Sequence, residues 1–195
     1  MGYRVEGLST MTGQDFERSM VHAFNDYAET YGKKLVAYRH LQMRYQPQLF
    51  DVLVDSRPNE FYLALECKSI DTASVNQIYF KKHFTWKNGV CQIVRESAWL
   101  SLSGRNGFLV VELRGGRGER TRCFFVPWRV VYNNFHADYP GIVAEVVCSC
   151  PCCVKSGGKY TFDDDFMGEV INQIGSQPHN TKKAYNHKWN SKKRS

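Results

Sequence analysis

Apolar residues recur at three- and four-residue spacing near the start of the chain, and this period predicts a helix over residues 12–31. Phe16, Met20, Phe24, Tyr27 and Tyr31 form its apolar stripe. Glu17 lies at the border of that stripe rather than on the solvated side. A glutamate at such a border either extends to solvent or faces a site between the helix and its neighbours.

Short apolar segments bounded by turn residues follow, and they predict strands at 35–40, 49–56, 61–69, 78–84, 107–115 and 121–128. A second helix is predicted over 89–102. The segments 49–56 and 61–69 flank the turn residues "RPNE", which indicates an antiparallel hairpin. The order of helices and strands predicts an α/β fold with a mixed central β-sheet flanked by helices.

The stretch "LALECKSI" places two opposite charges, Glu66 and Lys68, on one face of an apolar strand. If the hairpin is centred between residues 58 and 59, Asp51 lies directly opposite Glu66, with Cβ atoms about 4.5–5.5 Å apart. Two carboxylates at that distance raise each other's pKa and destabilise the fold unless a cation lies between them. A plain ion pair at a strand end is the alternative, but it leaves Asp51 unexplained.

Carboxylate oxygens beside a lysine suit phosphodiester hydrolysis. Such oxygens bind Mg²⁺ or Mn²⁺, which keep several waters and pair with phosphate oxygens. A lysine on the same face can orient or deprotonate the attacking water, or stabilise negative charge on the phosphate.

Two motifs carry a resemblance to a known superfamily. The segment "FDVLVDSRPNEFYLALECK" resembles the PD-(D/E)xK nuclease motif, with Phe50 in place of the usual proline. The upstream "TGQDFERSM" resembles the first-helix motif of archaeal-type Holliday-junction resolvases. The resemblance spans about residues 12–132 and implies a restriction-endonuclease-like core.

The resemblance also implies roles for individual residues. Its catalytic positions fall on these residues: Glu17, Asp51, Glu66, Lys68 and Gln92. Lys68 would be the catalytic lysine, and Gln77 is a weaker candidate than Gln92 for the helix glutamine. The implied metal ligands are Asp51, Glu66, Glu17 and the main-chain carbonyl of Cys67.

The function implied is a Mg²⁺-dependent (or Mn²⁺-dependent) structure-specific DNA endonuclease, a Holliday-junction resolvase of DNA recombination and repair. It would act on branched DNA as a homodimer. Two alternatives stay open: a sequence-specific restriction or repair endonuclease on the same core, and a non-catalytic nucleic-acid-binding module.

Basic and aromatic residues that flank the predicted site suit a nucleic acid. They can contact phosphates and stack on bases, or else are ordinary solvated strand residues: Arg39, Arg44, Lys81, Lys82 and Lys87, with Tyr38, Tyr45, Tyr79 and Trp86.

The resemblance implies a nuclease core (1–135), which is followed by an extension with a Cys-rich loop (136–177), and the charge pattern marks a basic flexible tail (178–195). Six Lys/Arg and no acidic residue lie in the tail, which leaves about +1 of the net charge of +7 for the rest. The tail suits a polyanion, or serves solubility alone.

Seven cysteines, no apolar signal segment and no apolar run near 18 residues predict a cytoplasmic protein without a membrane span. The "CSCPCC" stretch, Cys148–Cys153, suggests a structural zinc site, a disulfide or redox role, or a thiol-rich loop without a role.

Overall fold

The computed structural model describes residues 13–40, 49–57, 61–71, 77–115 and 118–174 of the 195-residue chain. The strands in these ranges are β1 (Leu35–Arg39), β2 (Val52–Ser56), β3 (Leu63–Asp71), β4 (Gln77–Tyr79), β5 (Trp86–Lys87), β6 (Val90–Cys91), β7 (Asn106–Arg114), β8 (Arg122–Pro127), β9 (Gly141–Val143) and β10 (Cys152–Val154). The helices are α1 (Gly13–Tyr31), α2 (Phe80–His83), α3 (Gln92–Ser103), α4 (Trp128–His136), α5 (Ala144–Cys148) and α6 (Asp164–Asn172).

Six strands form the central sheet in the order β1-β2-β3-β7-β8-β10. Strands β3 and β7 pair in parallel, and all the other neighbours in this sheet are antiparallel. The predicted α/β fold with a mixed central sheet is therefore confirmed. Two short pairs, β4 with β9 and β5 with β6, lie outside the central sheet.

The helix α1 confirms the prediction for residues 12–31, although Thr12 lies outside the described residues. It ends where Gly32 adopts a positive φ of 63° and the N–H of Lys33 donates to the Ala28 carbonyl. The buried side of α1 is made of Phe16, Met20, Ala23, Phe24 and Tyr27, so the predicted apolar stripe is confirmed except at Tyr31, which is 41% exposed.

Helices cover both faces of the central sheet. One apolar cluster joins the side chains of α1 and α6 to one face of the sheet, and the other joins α2, α3, α4 and α5 to the opposite face. Strands β3 and β7 are buried on both faces, which explains why their sequences run apolar instead of alternating. No helix in the described ranges has both the length and the apolar character needed to cross a membrane.

The region predicted as an extension packs on the same core. Strand β10 adds to β8 at one edge of the sheet, and α6 buries Phe166 and Met167 beside α1. The hydroxyl of Tyr27 on α1 donates to Asp164 at the start of α6 (2.6 Å), and Lys33 forms an ion pair with the same carboxylate (2.8 Å). The basic tail, 178–195, lies outside the described residues.

Two predicted elements are wrong in part. The segment predicted as a strand over 78–84 contains the end of β4 and then the short helix α2. The helix predicted over 89–102 begins only at Gln92, because Asn88 and Gly89 adopt positive φ values of 51° and 74° and turn β5 back onto β6. Two consecutive positive φ angles form the two-residue hairpin turn that Asn-Gly favours.

Candidate active site

The site lies where β2 and β3 separate. The observed pairing of Val52 with Leu65 is the predicted register, and continuing it by one position places Asp51 opposite Glu66. The N–H of Asp51 donates to the Leu65 carbonyl (2.9 Å), and the Asp51 carbonyl accepts from the N–H of His40 (2.8 Å). These two bonds fix the main chain of Asp51 between β1 and β3.

Phe50 redirects the chain immediately before Asp51. It has a φ of 59°, which is rare for a bulky residue and costs about 1–3 kcal/mol. Its buried ring packs against Trp99 and Trp128, with centroids 5.5 and 5.1 Å away, and its N–H donates to Glu96 Oε1 (3.3 Å). Proline could neither adopt this φ nor donate this bond, so it could not replace Phe50 at this position.

The turn at Phe50 leaves the N–H of Cys67 without a ladder partner, and the side chain of Asp51 accepts it through Oδ2 (2.8 Å). Burial first, and the neighbouring Glu66 second, raise the pKa of Asp51 from 3.8 to about 7, against the opposing effects of the Cys67 N–H and Lys68. The carboxylates of Asp51 and Glu66 therefore repel each other at close range, and a divalent cation bound between them would relieve this repulsion.

Lys68 forms an ion pair with Glu66. Its Nζ lies 2.5 Å from Glu66 Oε1 and 5.4 Å from the centre of the Phe84 ring. Burial lowers the pKa of Lys68, but Glu66 and then Asp51 outweigh that effect, so the net shift is upward. The amine is therefore protonated at neutral pH.

Gln92, at the start of α3, links Glu66 to a further carboxyl group. Its Nε2 donates to Glu66 Oε1 and to Glu96 Oε1, both at 2.8 Å, while its Oε1 accepts from the N–H of Thr85 (3.1 Å). Both polar atoms of the Gln92 amide group, Oε1 and Nε2, are therefore hydrogen-bonded. The orientation of the Glu66 carboxylate is therefore set by Lys68 and Gln92 together.

Glu96 was not predicted from the sequence. It is 0% exposed and lies four residues after Gln92, on the same face of α3. Burial and then the nearby Glu66 raise the pKa of Glu96 well above its ordinary value. The four-residue spacing from Gln92 was the one available sequence signal.

Glu17 lies nearby but is engaged elsewhere. Its Oε2 accepts from Arg39 Nε (2.8 Å) and pairs with Arg39 Nη2 (2.5 Å). Its charge contributes to the raised pKa of Asp51 only as the smallest of the causes. The structure thus brings Asp51, Glu66, Lys68 and Gln92 together, with Glu17 at the border of the group. Gln77 begins β4 and pairs there with Val143, away from this hydrogen-bond network.

The residues present fit a hard divalent cation. Asp51 and Glu66 supply carboxylate oxygens, and Mg²⁺ commonly takes only one or two of these together with waters and phosphate oxygens. The Cys67 carbonyl points toward Asp51, since the N–H and C=O of a strand residue face the same side and its N–H bonds Asp51. Burial raises the pKa of the Cys67 thiol, so its sulfur stays a neutral thiol. In the described ranges, no group of three or more His, Cys, Asp and Glu side chains is arranged to hold a metal ion.

Another buried carboxylate, Glu112 on β7, has a different set of partners. It accepts a hydrogen bond from the Tyr160 hydroxyl (2.8 Å), contacts the Ser69 hydroxyl and pairs with Lys155 (3.4 Å). Its partners satisfy both oxygens, so Glu112 joins β3, β7 and the segment after β10 and has a structural role.

The four thiols of the "CSCPCC" stretch diverge. Cys150 packs against the face of the sheet covered by α2–α5, and Cys153 lies on the opposite face beside Cys123. Cys148 and Cys152 are exposed. The zinc site suggested for this stretch stays a prediction, which metal analysis of the purified protein would test.

Comparison with known proteins gives one solved structure to report. No family model and no curated protein matches the sequence. The structure of Hjc, a Holliday junction resolvase from the archaeal hyperthermophile Archaeoglobus fulgidus, aligns with 71% of this chain and 93% of its own chain, at 15% identity and a TM-score of 0.42.

Proposed function

We propose that this chain is a metal-dependent endonuclease that hydrolyses phosphodiester bonds in DNA. The observation that carries the proposal is the convergence of Asp51, Glu66 and Lys68 where β2 and β3 separate, with Gln92 holding Glu66. A strand-end ion pair explains Lys68 with Glu66 alone. It does not explain a second carboxylate whose pKa is raised by the first.

The chain's own residues have distinct tasks in this proposal. Asp51 and Glu66, with the Cys67 carbonyl, would hold Mg²⁺ or Mn²⁺, which when bound supplies an activated water and neutralises phosphate charge. Lys68, protonated at neutral pH, stabilises the negative charge that develops on the phosphate. Gln92 fixes the angle of the Glu66 carboxylate, and Glu17 adds negative charge at the border.

The substrate and assembly follow from the sequence resemblance. We propose branched DNA, with a four-way junction as the preferred form, cut by a homodimer whose two sites act on strands of like polarity. A sequence-specific endonuclease on the same core would instead cut linear duplex at one sequence.

The test is cleavage of a panel of DNAs in Mg²⁺: four-way junction, linear duplex, nicked duplex and single strand. Symmetric nicking of the junction supports a resolvase, and cutting of linear duplex at one sequence supports the restriction or repair alternative. EDTA should abolish either activity. Tight binding without any cutting would refute the enzyme and favour a binding module.

The matched variants are Lys68→Ala and Lys33→Ala. Lys68→Ala should lose cleavage by at least about 100-fold while it keeps DNA binding, because the lysine acts on charge in the transition state. Lys33 is also an ion-paired lysine, but it follows the far end of α1, roughly 20 Å from Glu17 by helix rise. Its variant should cut normally, and equal activity of both variants would contradict the role of Lys68.

A further inference from the structure

The hairpin of β5 and β6 is a small, stiff projection beside the site. Asn88 and Gly89 close it with two positive φ angles, 51° and 74°, in a two-residue turn whose twist matches its strands. Trp86 pairs with Cys91, and Lys87 pairs with Val90. The buried Cys91 fixes the base of the hairpin in the core, while the turn reaches solvent.

The base of the hairpin is bonded to the residues of the site. The N–H of Thr85 donates to Gln92 Oε1 (3.1 Å), and the N–H of Gln92 donates back to the Thr85 carbonyl (2.8 Å). Arg95 on α3 donates to the Val90 carbonyl (2.8 Å) and to the Thr85 hydroxyl (3.2 Å). Gln92 in turn donates to Glu66, so its side chain connects the base of the hairpin to the candidate catalytic carboxylate.

The surface of this region suits a polyanion that carries flat rings. Between residues 77 and 95 there are four Lys/Arg and no acidic residue. Lys81, Lys82 and Lys87 are exposed. The Trp86 side chain is 50% exposed, and its ring packs on Phe135 at a centroid distance of 6.4 Å. A ring held in this way loses little freedom when a base stacks on it.

We propose that this hairpin holds the DNA strand next to the phosphate that is cut, with Trp86 stacked on an unpaired base and Lys87 against the backbone. The proposal rests on the proposed nuclease function and adds the element that recognises unpaired nucleotides. Aromatic stacking tolerates any base, because every base offers a flat face. Selection would therefore be for nucleotides that have left the duplex, as at a branch point, and not for a sequence.

The binding experiment uses full-length protein carrying Lys68→Ala, so that the DNA stays uncut. The probes are a four-way junction, a duplex with a short single-stranded gap and a fully paired duplex, each with 2-aminopurine at the base to be tested. Adding Trp86→Ala should weaken binding to the gapped DNA and the junction about ten-fold, with a smaller loss on the paired duplex. The quenching of 2-aminopurine on binding should disappear.

Three further variants separate stacking from folding. Trp86→Tyr should restore most of the affinity, since it keeps an aromatic face. Lys87→Ala should lower the slope of log affinity against log salt by about one. Tyr31→Ala, which removes a 41% exposed ring at the far end of α1, should change nothing. Thermal unfolding of each variant should match that of the parent.

The outcomes distinguish the two proposals. If the protein that keeps Lys68 cuts DNA, and its Trp86→Ala variant binds and cuts DNA equally well, only the hairpin proposal falls. A hairpin that docks a protein instead of DNA would give this result. An equal loss on paired and gapped DNA, or no rescue by tyrosine, also overturns it. If no DNA is cut but binding to unpaired DNA depends on Trp86, the nuclease proposal falls, and of the hairpin proposal only the recognition of unpaired bases stands.

Discussion

Replacing Asp51 with asparagine should stabilise the metal-free protein at neutral and alkaline pH. The folded protein raises the pKa of Asp51 from 3.8 to about 7, so it holds this proton more tightly than the unfolded chain does. Below pH 3.8, Asp51 is protonated in both the folded and the unfolded state, and its ionisation does not lower the free energy of unfolding. As the pH rises from 3.8 to 7 the unfolded state ionises first, and stability falls; above pH 7 the loss is constant.

The magnitude follows from the size of the shift. Three pKa units at 1.36 kcal/mol each correspond to about 4 kcal/mol, and the partial exposure of Asp51 reduces this to about 2–4 kcal/mol. Asparagine is neutral and its carbonyl can still accept the N–H of Cys67. Asp51→Asn should therefore exceed the wild type in free energy of unfolding by about 2–4 kcal/mol at pH 8, and by only about 0.5 kcal/mol at pH 4.

The assay is urea unfolding in EDTA between pH 4 and pH 8. Asp26→Asn, which changes an exposed aspartate of α1, is the control and should have little effect at either pH. Mg²⁺ at pH 8 should then stabilise the wild type and not Asp51→Asn, because only the wild type keeps both carboxylates. Equal or lower stability of Asp51→Asn at pH 8, or a difference that does not change with pH, would refute the electrostatic reasoning.

Two further predictions concern the residues behind the carboxylates. Phe50→Gly should be more stable than Phe50→Ala by about 1 kcal/mol in urea unfolding, the reverse of their usual order, because only glycine adopts a φ of 59° without strain; an ordinary order would contradict the strain at this position. Glu96→Gln keeps an acceptor for the Phe50 N–H and for Gln92 Nε2, so it should retain single-turnover cleavage within a few-fold. Glu96→Leu removes this acceptor from two buried donors, which should lower the free energy of unfolding by about 2 kcal/mol and slow cleavage. Equal rates for the two Glu96 variants would remove Glu96 from the support of the site.

The pairing of Asp51 with Glu66 could be predicted because it depends only on strand alternation and on the centre of a short turn. Both are local properties of the sequence, and β2 and β3 have the expected register. The conformation of Phe50 could not be predicted in this way. Its positive φ is imposed by contacts from α3 and α4, namely the Glu96 carboxyl and the ring of Trp128.

Two other features were missed for different reasons. The β5–β6 hairpin has the Asn88-Gly89 signal, but its strands have two residues each and show no alternation, while a helical period runs through the same stretch. Glu96 has the spacing of a helix residue, and a charged residue on a helix is ordinarily assigned to solvent. Only the packing of α3 against β3 shows that it is buried.

The contact between α1 and α6 has a consequence for how the protein forms. Tyr27 and Asp164 are 137 positions apart, yet they share a hydrogen bond, and Phe24 packs on Phe162 in the same cluster. During synthesis, the apolar stripe of α1 therefore lacks the side chains of α6 and of Phe162 that pack on it until more than 160 residues have been made. Contacts between distant positions slow folding. Glu17 on α1 borders the candidate active site. The site should therefore reach its final rigidity only after the segment that contains α6 has left the ribosome.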